Sequence, residues 1–179
     1  GIADEMRKVA IPMKGRMIHS TDGKINFQPY GKGGQAIYSV SRGGLNCVLM
    51  DLAEKHGTEF FYSEHCTHID LQTATVYFEN AETKKLSEVK AERIFGTDGA
   101  FSAARLQLQL STDRFEYSQH YLEHGYKELV IPPTASGDFA MEPNALHIWP
   151  RGQFMLIALL NLDKSYTCTL IFPFEGEKS

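Results

Sequence analysis

At 179 residues, 42% of them hydrophobic and 22% charged, the chain has ordinary globular composition and length enough for one or two compact units. A net charge of −4 without any basic stripe argues against a nucleic-acid binder, and no apolar run nears the roughly 18–20 residues of a membrane span. Three scattered cysteines, Cys47, Cys66 and Cys168, read as reduced thiols of a cytoplasmic protein rather than a disulfide frame or zinc site.

Ile2 to Ala10 has helical spacing of Ile2, Met6 and Val9 and is stopped by Pro12. Two short strands, Arg16–Ser20 and Lys24–Phe27, flank Thr21-Asp22-Gly23, a hairpin signal. After a loop at Pro29–Gly34, a strand is predicted over Gln35–Val40. Ser41 then caps a helix over Arg42–His56, whose Leu45, Val48, Leu49, Leu52 and Ala53 form an apolar stripe expected to face a core. Thr58–Tyr62, His65–Leu71 and Ala74–Glu79 read as strands, the last two joined through Gln72-Thr73, and Glu82–Lys90 returns toward a buried strand ending at Arg93-Ile94-Phe95. From Phe115 onward the pattern is strands and loops alone: Tyr126–Pro132, Ala145–Trp149, Gln153–Leu160 and Thr167–Phe172. The expected fold is α/β in the middle, over 34–106, and α+β overall. An antiparallel sheet is expected from 107–179 together with the early hairpin in 1–33. Gly1 begins the chain without an initiator methionine and the end follows directly on an apolar strand, so we expect a central piece of a longer protein.

The chemistry-bearing stretch is Gly96-Thr97-Asp98-Gly99-Ala100-Phe101-Ser102-Ala103-Ala104-Arg105. A strand that breaks at Asp-Gly and restarts as a helix sets a carboxylate and backbone N–H groups at one corner, where open α/β sheets hold phosphates and ribose hydroxyls. Asp98 would accept from a sugar hydroxyl, Gly99 would allow close approach, Ser102 would cap the helix, and Arg105 would reach back to a carboxylate or phosphate. On physical grounds alone the plainer reading, a capped corner with an Asx turn, is favoured, because short Gly/Asp motifs recur without function.

The order Asp-Gly-x-x-Ser-x-x-Arg after an apolar strand resembles the second nucleotide motif of the flavin-dependent aromatic hydroxylases. Further stretches resemble the kynurenine-hydroxylating branch of that family: Ile11-Pro12-Met13, Arg16–Ser20, Gln28–Gly31, Ser39–Arg42, Tyr117-Ser118-Gln119, His124–Leu129 and Met141–Asn144, most densely Leu146–Arg151 and Thr167–Leu170. The resemblance implies a partial Rossmann-like FAD-binding domain over 34–106 and an antiparallel substrate-binding sheet from 1–33 and 107–179, without the family's Gly-x-Gly-x-x-Gly unit and carboxy-terminal helices. It implies FAD and NADPH as cofactors, L-kynurenine and O2 as substrates, and a place in tryptophan catabolism. No membrane segment is expected in this chain, and a homodimer stays open.

By the same resemblance Arg16 and Tyr30 pair with the substrate carboxylate, a task suited to a planar two-donor guanidinium and a neutral hydroxyl. From sequence alone an exposed Arg and a loop Tyr packed on Pro29 would be preferred. Ile37, Leu146, Ile157 and Leu159 are implied to face the substrate ring, where plain core packing is the alternative. Arg42, Cys66, Asp98, Gly99 and Arg105 are implied to contact the cofactor; without the resemblance Arg42 is an exposed helix-start cation and Cys66 a buried thiol. No side chain is assigned as a catalytic acid or base, since the cofactor carries the oxygen chemistry. The pairs His65/His68 and His120/His124 lack a third ligand and are read as surface or polar-core residues. A related hydroxylase of another aromatic acid, and a non-catalytic binding module, are the competing readings.

Overall fold

Asp22 and Gly23 turn the chain as the hairpin motif predicts: Gly23 has φ +82°, and Ser20 N donates to Lys24 O at 2.9 Å. The computed structural model describes residues 1–176. It contains α1 (Ile2–Lys8), β1 (Ile11–Met13), β2 (Gly15–His19), β3 (Ile25–Pro29), β4 (Ile37–Ser39), α2 (Arg42–Lys55), β5 (Glu64–Asp70), β6 (Thr75–Asn80) and β7 (Leu86–Lys90). There follow α3 (Ala103–Ser111), β8 (His124–Ile131), β9 (Ala145–Arg151), β10 (Phe154–Leu160) and β11 (Tyr166–Pro173). The fold is α+β. Two compact units divide it: Gly1–Thr58 with the chain from Tyr121 onward, and Glu59–His120. By contacts, residues 34–58, with β4 paired to β1, group with the first unit, and residues 107–120 group with the second.

In the first unit the early hairpin joins the late strands in one six-stranded sheet, ordered β3-β2-β9-β10-β11-β8. All its pairings are antiparallel except β2–β9, which is parallel over Gly15–Ile18 and Ala145–Ile148. One face carries the core: Ala158, Leu160, Tyr166 and Cys168 are buried, with Trp149, Leu156 and Ile131 packed against them. Ser39 on β4 donates its hydroxyl to the Leu160 carbonyl at 3.0 Å, tying the two-stranded β1–β4 sheet to this core.

The cap of α2 is as expected, with Ser41 Oγ accepting from Gly44 N at 3.3 Å. Its stripe is not a covered core face: Leu45, Val48, Leu52 and Ala53 are half-buried and Leu49 is 40% exposed. Periodicity reveals which face is apolar, not what covers it.

In the second unit β5, β6 and β7 form an antiparallel meander, and α3 packs against β5. Two expected strands are absent. Thr58–Tyr62 and Arg93–Phe95 run as irregular backbone, with no ladder partner among the described residues. Their β-forming residues express a preference that only a neighbouring strand can satisfy.

Candidate functional site

Gly15 opens β2 opposite Pro29, and a Cβ there would lie 2.5 Å from the Gln28 carbonyl and 2.6 Å from the Phe27 ring. This close approach fastens the open end of the hairpin, and Tyr30 N donates to Lys14 O at 3.1 Å just beyond it. Arg16 and Tyr30, fourteen residues apart in sequence, therefore converge: the Arg16 guanidinium carbon lies 5.2 Å from the Tyr30 ring centre, within cation–π range. Neither the guanidinium nor the phenol has a hydrogen-bonding partner among the described residues.

Strand register decides what shares this side. Arg16 is the parallel partner of Leu146, and Ile148 pairs with Ile157. Since directly paired residues point the same way and alternate residues share a face, Arg16, Leu146, Ile148, Ile157 and Leu159 line one face of the sheet. It is the face opposite the core, and Leu146, Ile148, Ile157 and Leu159 are half-buried on it. Ile37 is not on this sheet; it pairs with Met13 in the β1–β4 sheet and is 41% exposed.

The corner in the second unit is built from Asp98. Its Oδ1 accepts from the Ser102 hydroxyl at 2.5 Å and its Oδ2 from Ala104 N at 3.2 Å, while Ser102 Oγ accepts from Arg105 N at 3.0 Å. The Ser102 bond, then the Ala104 amide, hold the Asp98 carboxyl below the usual range, so it is ionised at neutral pH. Gly99, at φ +78°, supplies the left-handed turn. Gly96 lets α3 come close, since a Cβ there would meet Ala104 Cβ at 2.6 Å. A cavity of about 560 Å³ on the β5–β7 meander is separate from a smaller one, about 370 Å³, at this corner, lined by Ile69, Ile94, Gly99, Ser102 and Arg105 among others.

Arg105 does not reach a carboxylate. Its guanidinium donates to the Gly99 and Ala100 carbonyls and lies 4.8 Å from the Tyr117 ring centre. Cys66 belongs to the same neighbourhood: burial first, then the Asp98 charge, pushes its thiol up, which marks it as a neutral thiol rather than a nucleophile. The ladder shifts between Cys66 and His68, leaving Thr67 to donate its hydroxyl to Tyr77 O at 3.2 Å. Cys66, Asp98, Gly99 and Arg105 are thus brought together. Arg42, in the first unit, is exposed and without a side-chain partner among the described residues.

Sequence reasoning assigned nothing to His147, although it sits inside the stretch of densest resemblance. The structure buries it on the core face at 2% exposure, joined to His19. Alternation with Leu146 was the available signal.

No family model matches the chain. Against curated proteins it is 49% identical over 179 residues to the kynurenine 3-monooxygenase of Flavobacterium johnsoniae, covering 100% of this chain and 40% of that protein. The chain is a relative of the kynurenine 3-monooxygenases. The enzyme of Dictyostelium discoideum is 48% identical over 181 residues (100% and 38%), and that of Sus scrofa 44% over 176 residues (98% and 37%). The chain spans about 40% of the length of these curated relatives. Among solved structures, a flavoprotein/dehydrogenase from Cytophaga hutchinsonii superposes with a TM-score of 0.73 at 13% identity, covering 97% of this chain and 42% of that one. Tetracycline destructase Tet(51) gives 0.65 at 15% identity, with 97% and 42% covered. At such identities the likeness is one of fold.

The donor set at the corner fits one part of a flavin dinucleotide. Each oxygen of the exposed Asp98 carboxylate holds one protein hydrogen bond and keeps a lone pair for a ribose hydroxyl. It does not suit a phosphate: Asp98 and Ser102 occupy amides of the first turn of α3, and the turn carbonyls occupy Arg105.

Proposed function

We propose that this chain serves an FAD-dependent monooxygenase that hydroxylates L-kynurenine to 3-hydroxykynurenine, using NADPH and O2. The observation that carries this reading is the Arg16–Tyr30 pair, set beside Leu146 on the non-core face of the sheet in a chain related along its length to kynurenine 3-monooxygenases. Kynurenine bears an α-carboxylate at one end and an aromatic ring at the other. The unpaired Arg16 fork and the Tyr30 hydroxyl would hold the carboxylate, while Leu146, Ile157 and Leu159 offer an apolar wall for the ring, with Ile37 assigned to it by resemblance alone.

Asp98 would hold a ribose hydroxyl of FAD, with Gly99 allowing close approach and Cys66 flanking it; Arg42 offers a free cation to an anionic part of the cofactor. For Arg105 the geometry supports a supporting role, clasping the turn that carries Asp98. The bound flavin, reduced by NADPH, supplies the oxygen chemistry, and the chain's own residues contribute binding, orientation and exclusion of water. Among the described residues none is required as a general acid or base.

A charge-assisted contact is worth about 1.5–3 kcal/mol, so Arg16→Ala in a full-length, flavin-bound enzyme carrying this sequence weakens L-kynurenine binding about tenfold or more. Equilibrium titration with flavin content checked reads this directly. Unchanged affinity removes the assignment.

A further inference from the structure

The β2–β9 ladder ends at the pair Ile18–Ile148. His19, one residue beyond, nevertheless crosses to β9 with its side chain. Its Nε2 lies 2.8 Å from His147 Nδ1, its ring stacks on Trp149 with centres 4.1 Å and planes 16° apart, and its carbonyl accepts from Arg151 Nη1 at 2.9 Å.

The outer partner fixes the protons. His147 Nε2 is 2.9 Å from the Glu142 backbone carbonyl, which can only accept, so that nitrogen carries the hydrogen. In a neutral ring Nδ1 is then the acceptor, and His19 Nε2 donates to it. A directed chain results: His19 to His147 to the Glu142 carbonyl. Other titratable or charged groups facing the pair are Arg151 on β9, Tyr166 on β11 (edge-on to His147 at 5.8 Å, its hydroxyl on the Met141 carbonyl) and Glu142 before β9, whose carboxylate accepts from Asn144 N. Burial, then the His147 and Arg151 charges, hold His19 below the usual histidine range.

The place of this chain in the sheet gives it a task. The β2–β3 hairpin is the sheet's edge and joins the other strands through β9, by the one parallel ladder, four residue pairs long. Parallel pairing is the weaker kind per residue, and a slip of one residue would turn Arg16 to the core face. The histidine pair sits on that core face: His147 follows Leu146 in β9 and pairs with Met17, the neighbour of Arg16, and His19 lies just past the end of the ladder.

The geometry points to His19 and His147 as positioning residues that hold the β2–β9 register and so set Arg16 and Tyr30 for a substrate's carboxylate. This rests on the reading of Arg16 and Tyr30 given above.

The test uses the full-length, flavin-bound enzyme. His19→Phe keeps a ring to stack on Trp149 but cannot donate; His19→Gln carries a donor at similar reach and cannot titrate. The Phe variant is expected to raise the Kd and KM for L-kynurenine about tenfold with kcat within about twofold, and Gln to restore the affinity. Affinity for the kynurenine analogue lacking the α-carboxylate stays unchanged in both. If Arg16→Ala weakens kynurenine binding while His19→Phe binds normally, or if His19→Phe weakens kynurenine and the analogue alike, the positioning role is overturned. If Arg16→Ala itself has no effect, the carboxylate reading fails instead, and this inference with it. Should His19→Phe fail to fold, His19→Ala decides by the same readouts: a kynurenine Kd unchanged from wild type overturns the proposal, and a rise of about tenfold that His19→Gln does not show supports it.

Discussion

The two units make their sheets stable in different ways. In the first, register stacks Ala145, Ala158, Leu160, Tyr166 and Cys168 into a core with almost no exposed surface, and the opposite face is left for Arg16 and its apolar neighbours. In the second, Ile69 and Val76 are the buried apolar residues, all of β7 is exposed, and side chains of the turns do much of the work. Asp70 accepts from the Gln72 and Thr73 amides, Asn80 from those of Glu82 and Thr83, and Asp98 from Ala104. A sheet with its own core can carry a binding face on its other side. A meander held by turns leaves its apolar face half covered.

The sharpest way to break this comparison is truncation of each core. Tyr166→Ala destabilises the first unit by about 3–5 kcal/mol, as expected for a large buried aromatic. Ile69→Ala costs the second unit about 2 kcal/mol, because fewer neighbours lose contacts. Fluorescence of Trp149, the single tryptophan, follows denaturant unfolding of the first unit, and amide exchange on β5 and β6 follows the second. Equal losses would erase the distinction drawn here.

A second test concerns the corner. The 179-residue chain by itself is expected to retain no FAD and to show no turnover; a flavin absorbance band in the purified chain would contradict this. Within the corner, Ser102→Ala removes a helix cap worth about 1 kcal/mol, read as faster amide exchange at Ala104 and Arg105.

The smallest expected effect is on pH dependence, and its sign is the same in both units. His19 is held below the ordinary histidine value of 6.5, so the unfolded chain binds that proton more readily. Its contribution is complete above 6.5 and is lost as the pH falls from there through the folded value. Asp98 is held below 3.8, so its contribution is complete above 3.8 and is lost only in stronger acid. Acid titration of the tryptophan signal therefore begins before loss of protection at α3.

Local chemistry was legible in the sequence. The hairpin at Asp22-Gly23, the Ser41 and Ser102 caps and the late strands could be read because each signal lies within a few residues of what it forms. Pairing was less so. The three-residue β1, with Pro12 at its centre, exists because β4 lies beside it, far along the chain, pairing Ile11 with Ser39 and Met13 with Ile37. The parallel β2–β9 ladder likewise had no local mark, and with it the contact between His19 and His147 stayed hidden. At the site, residue types named the chemistry at Arg16, Tyr30 and Asp98, but only coordinates reveal that the turn's own carbonyls occupy Arg105.

Inside β9 each residue is committed to one of two opposed surfaces, Leu146 outward and His147 inward. Deleting a single codon there would exchange the two surfaces for everything downstream in the strand. Change in this segment is therefore expected to proceed by replacement of residues in place, with gains and losses of length gathered in turns such as that around Leu162 and Asp163. A sequence survey of natural variants can count this, independently of any assay.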